Sequence, residues 1–127
     1  QTFEHMGQRD DAAVVTMATA AAFHEAIGPE AVEARVRALA ATVKRRLRQH
    51  FPDVVLFTPP DPLDSAGVVV FELPGRDHDA IYQGVYRDNR LGCAAMHGLF
   101  DGLRLSPHIY NTMDQVEAAV EAVAAHA

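Results

Sequence analysis

Among the side chains whose type and spacing could do chemistry, Arg104 comes first. It lies in Gly102-Leu103-Arg104-Leu105-Ser106-Pro107-His108-Ile109-Tyr110-Asn111-Thr112. Strand alternation sends Leu103 and Leu105 to one face and Arg104 with Ser106 to the other, so an apolar core would hold the arginine and aim it outward. A guanidinium is a planar fork of donors, charged at any ordinary pH and matched to a carboxylate or phosphate. The same position also suits an arginine that closes a structural ion pair. Lys44 is the only lysine and therefore the only side-chain amine able to form a Schiff base. It falls in the cationic run Lys44-Arg45-Arg46-Leu47-Arg48, expected on the exposed side of a helix end where the dipole favours cations. Cys93 is the only cysteine, and its apolar surroundings predict a small buried hydrophobe. The seven histidines, His5, His24, His50, His78, His97, His108 and His126, fall on different elements without close metal spacing. His108 reads as a structural part of the turn after Arg104 and His97 as a loop residue near the cleft, and either could touch a substrate. No glycine-rich phosphate loop occurs.

The elements that must position these groups follow from periodicity. Asp10 or Asp11 can cap a helix to about Ile27, ended by Gly28 with Pro29 opening the next. That first helix is apolar nearly all round, through Ala12, Val14, Val15, Ala18, Ala22 and Phe23, and is expected to be buried on more than one side. A chain this small can hardly surround it, which calls for a second packing surface. From Glu30 to His50 a stripe of Val32, Val36, Leu39, Val43, Leu47 and Phe51 predicts an amphipathic helix, with Glu33 and Arg37 placed as a pair on its other face. Strands are expected over Val54 to Thr58 and Gly67 to Leu73, separated by Pro59-Pro60-Asp61-Pro62. Asp77 can cap a helix through Asn89 that buries Ile81 and Val85 with help from Tyr82 or Tyr86. A strand at about Leu91 to Met96, the Arg104 strand, and a helix burying Val116, Ala119, Val120 and Val123 complete the chain. Thr112 and Gln115 fit a capping box at the start of that helix. The order predicts an α+β layer, helices against a small, mainly antiparallel sheet.

The 127 residues fit a single domain, and 17 acidic against 11 basic residues argue against nucleic acid or an anionic membrane as partner. A lone cysteine cannot form an internal disulfide, so a reducing cytoplasm is the default compartment. The apolar stretch Ala12 to Phe23 is shorter than the roughly 20 residues a bilayer span requires. The chain opens on Gln1 rather than methionine, which fits a processed or truncated product.

The stretch Arg104 to Thr112 resembles the carboxy-terminal signature of class V aminotransferase-fold enzymes. These are fold-type I pyridoxal-phosphate proteins, including cysteine desulfurases, kynureninases and isopenicillin N epimerase-like enzymes. The resemblance extends to Phe3-Glu4-His5-Met6-Gly7-Gln8-Arg9-Asp10, to Ala22-Phe23-His24-Glu25-Ala26-Ile27-Gly28 and to the Arg35 helix. It implies that residues 11–127 form the small carboxy-terminal domain and residues 1–10 lead in from a missing large domain. It also implies that Arg104 holds the α-carboxylate of an amino-acid substrate, and that the complete enzyme is a homodimer. The segment matching Gly7 and Gln8 is, in that family, a glycine-threonine loop whose hydroxyl reaches the cofactor phosphate of the neighbouring subunit. Gln8 stands where threonine is common; its amide can donate to phosphate, or the segment is a plain surface turn. In the desulfurases a small-domain thiolate attacks sulfur, but Cys93 lies in an apolar strand rather than in the corresponding loop. The lysine, the aspartate and the ring-stacking residue that work on the cofactor belong to the large domain. The chain alone is thus expected to bind no pyridoxal phosphate and to be inactive. A reading from another class is a non-catalytic interaction domain that reuses this fold and meets a partner through the apolar first helix.

Overall fold

A computed structural model describes residues 10–127, so the expectations for Gly7 and Gln8 lie outside the described residues. The chain divides into two units, one ending at Val32 and the other running from Glu33 to Ala127.

The first unit holds α1 (Asp11–Ile27). Asp10 caps it, its Oδ1 accepting from Ala13 N–H at 3.1 Å. Gly28 ends it at φ 96°, a left-handed-side angle that glycine adopts without a Cβ penalty, while its N–H donates to His24 O. No residue of α1 is buried, and Met17 remains 71% exposed. Within this chain the helix forms on alanine propensity and its caps, and its apolar side chains are left exposed; the second packing surface expected for it is not supplied by the described residues.

The boundary falls inside α2 (Pro29–His50), and the second unit takes the rest of that helix with β1 (Val55–Leu56), β2 (Val69–Glu72), α3 (His78–Asn89), β3 (Ala94–Met96), β4 (Gly102–Leu105) and α4 (Met113–His126). The strands form one antiparallel sheet in the order β1-β2-β4-β3. Leu39, Val43 and Leu47 from α2, Ile81 and Val85 from α3, and Val116, Val120 and Val123 from α4 pack against Val69, Phe71, Leu103 and Leu105. The helices thus cover one face of the sheet, and the fold is the expected α+β layer.

Local signals set the element ends. Asp77 Oδ1 accepts from Ala80 N–H at 3.0 Å to start α3, and Arg90, at φ 55°, closes it with its N–H on Tyr86 O. Thr112 and Gln115 form the capping box, with Gln115 N–H on Thr112 Oγ1 and Thr112 N–H on Gln115 Oε1, both at 3.1 Å. Gly102 is needed where it stands, because a Cβ there would overlap the Phe71 carbonyl across the ladder. The strands are shorter than the apolar runs suggested: β1 keeps two of the five expected residues, and β3 starts at Ala94. Tyr82 and Tyr86 face solvent rather than the core. Among the described residues no helix is long and apolar enough to cross a membrane.

Candidate functional site

The face of the sheet away from the helices carries the site. Alternation along β4 buries Leu103 and Leu105 and leaves Arg104 exposed. In register it stands between Val70 on β2 and Ala94 on β3. Its guanidinium makes no hydrogen bond or ion pair with another described residue. Val55, Phe57, Val70, Ala94 and Met96 share this face, and none of them belongs to the core cluster. Glu72 is the acidic residue among them, opposite Val55 on β1.

The turn after β4 is held by its own side chains. His108 N–H donates to Asn111 Oδ1 and Asn111 N–H returns to His108 O, both at 2.9 Å. Arg35 on α2 donates from Nη2 to Asn111 O at 2.8 Å and so ties the turn to the helix layer. The half-buried His108 ring lies 5.4 Å from the Tyr110 ring. Behind the turn, on the helix side, a cleft of about 240 Å³ is lined by Leu105, Ser106, Pro107, Asn111, Gln115 and Val116 among others; Arg104 does not line it.

His97 lies elsewhere, in a polar cleft with Arg76, Asp77, His78, Asp79 and Asp101. Its Nε2 is 3.2 Å from Asp79 Oδ1 and its Nδ1 3.8 Å from Asp101 Oδ1. The buried His78 accepts from Leu73 N–H through Nε2 at 3.1 Å, which leaves its proton on Nδ1, 3.6 Å from Asp101 Oδ1. That nitrogen has no lone pair to offer a metal. Among the described residues no group of three or more His, Cys, Asp or Glu side chains is arranged to hold a metal ion.

Lys44 corrects an expectation. It is 5% exposed, not solvated, and its ammonium donates to Pro59 O at 2.9 Å, Ser65 Oγ at 2.9 Å and Pro60 O at 3.3 Å. The loop between β1 and β2 folds back over α2 and wraps the amine, aided by Arg37 Nη1, which donates to Ser65 O. Burial lowers the Lys44 pKa, Arg48 lowers it further, and Asp61 opposes them. A base whose folded pKa lies below its unfolded value carries fewer protons when folded, so stability rises with pH between the two values. Below that window the penalty is constant. Urea unfolding between pH 7 and the ordinary lysine value of about 10.4 should therefore show wild type gaining on Lys44→Met as pH rises. Parallel curves would contradict the assigned environment.

Cys93 precedes β3 rather than lying in it, and is partly buried against the core. Burial pushes its thiol up from the ordinary value, which suppresses the reactive thiolate. Alkylation by iodoacetamide at pH 7.5 is expected to be slower in the folded chain than in urea; equal rates would contradict this burial.

Sequence reasoning missed Phe57 and Phe100, whose rings pair at 4.8 Å. The alternation of Val55 with Phe57 was the available signal for the first; Phe100 sits in a loop with no periodicity to read. Comparison with protein-family models gives no match, and comparison with curated proteins gives none either. The class V likeness rests on the residues quoted for it.

Proposed function

We propose that this chain is the small carboxy-terminal domain of a cytoplasmic, pyridoxal-phosphate-dependent class V aminotransferase-like enzyme, and that Arg104 binds the α-carboxylate of an amino-acid substrate. The observation that carries the reading is Arg104 itself, on the sheet face opposite the one that α2, α3 and α4 pack on, exposed, and with no ionic partner among the described residues. A structural ion-pair arginine would be bonded to its carboxylate; among the described residues none, Glu72 on the same face included, is paired with Arg104. The buried neighbours Leu103 and Leu105 fix its backbone, and the side chain is ordered when a carboxylate docks.

The chain does not fit the cofactor's covalent hold. Its sole amine is wrapped by Pro59, Pro60 and Ser65 and has no opening toward a second reactant. A preceding large domain therefore supplies that lysine, and the chain alone is inactive. The exposed apolar side chains of α1 suit a helix that meets another surface in the complete homodimer.

The test is the coding frame that contains this chain and its purified product. The expected result is an upstream domain with its own Schiff-base lysine and stoichiometric pyridoxal phosphate. A product without such a domain or cofactor would contradict the enzyme reading and favour a non-catalytic interaction domain that meets its partner through α1.

A further inference from the structure

Resting on the carboxylate role of Arg104, we propose that the ligand carried there has an apolar side chain, aromatic or branched, and no second carboxylate. Phe57 N–H and Thr58 N–H both donate to Val70 O, at 3.0 and 3.3 Å, and Thr58 Oγ1 accepts from Val70 N–H at 2.9 Å. Two donors on one carbonyl make a β-bulge, which bends the strand and re-aims its side chains. Val70 is also the residue paired with Arg104. The bulge thus places Phe57 two strand spacings, roughly 10 Å, from Arg104 on the same face.

Phe100 reaches the Phe57 ring from the loop before β4, centroids 4.8 Å apart and planes tilted by 44°. Neither ring packs on the core, and Phe100 is 41% exposed. In register, Val70 stands between Phe57 and Arg104 on this face. A carboxylate seated on Arg104 therefore directs the rest of its molecule along an apolar shelf ending in two aromatic rings. Tilted aromatic contacts of this kind favour a third ring or a branched alkyl group over water.

Charge decides against a dicarboxylate. The strand positions on this face carry no second arginine or lysine, and Glu72 lies on the same strand as Val70, two residues away. A distal carboxylate would meet Glu72 as a like charge in place of a second fork.

The test is an NMR titration of the 127-residue chain with acetate, 3-phenylpropionate and succinate, followed on the Arg104 Nε–H and the Phe57 and Phe100 ring signals. The expected result is that 3-phenylpropionate moves both sets and binds about tenfold tighter than acetate, as partial burial of a phenyl ring predicts. Succinate is expected to bind no tighter than acetate. Phe57→Ala and Phe100→Ala should each reduce the aromatic preference and leave acetate binding unchanged. Equal binding of acetate and 3-phenylpropionate, or tightest binding of succinate, would overturn the side-chain inference while leaving the carboxylate role standing. If no carboxylate moves the Arg104 Nε–H signal, the role of Arg104 and this inference fail together.

Discussion

Replacing Phe71 by alanine is expected to lower the unfolding free energy by about 3–5 kcal/mol, the range for truncating a buried phenylalanine. Phe71 is fully buried at the centre of the sheet, paired with Leu103 on β4 and Leu56 on β1. Truncation removes the ring's contacts with the helix layer and leaves a cavity in the core. A domain of this size has only about 5–15 kcal/mol in total. The variant should therefore unfold at much lower urea with an unchanged slope. A loss below about 1 kcal/mol would mean that the sheet is not packed on the helices as described.

The second large effect concerns ligand recognition. In the proposed complete enzyme, Arg104→Gln is expected to raise KM for the proposed amino-acid substrate by about 10²–10³, equivalent to about 3–4 kcal/mol, with cofactor content unchanged. The cost arises because a substrate carboxylate leaves water and finds a neutral amide where two charged donors stood. Arg104→Lys should fall between, since an ammonium keeps the charge but loses the fork. A KM within about threefold of wild type for Arg104→Gln would end the assigned role.

Features set by local chemistry were legible in the sequence. The Thr112 and Gln115 box, the Asp77 cap, the Gly28-Pro29 junction and the outward aim of Arg104 each depend on residues within a few positions of one another. Lys44 shows where such reasoning stops. Its helical position placed it opposite the Leu39, Val43 and Leu47 stripe, yet the loop through Pro59 and Ser65 returns over that side and buries it. The pairing of Phe57 with Phe100 likewise needs the β1-β2-β4 order and a bulge, neither of which strand periodicity encodes. The first helix is a different case: its apolar composition calls for a packing surface beyond this chain, and among the described residues none buries it.

Free carboxylate recognition by Arg104 is the centre of the account, and it is tested most directly by comparing each amino-acid substrate with its carboxamide, in the complete enzyme and in its Arg104→Gln variant. The expected result is strong preference for the carboxylate in wild type and collapse of that preference in the variant, because only the charged fork distinguishes the two ligands. Preference of equal size in both proteins would place the carboxylate on another residue.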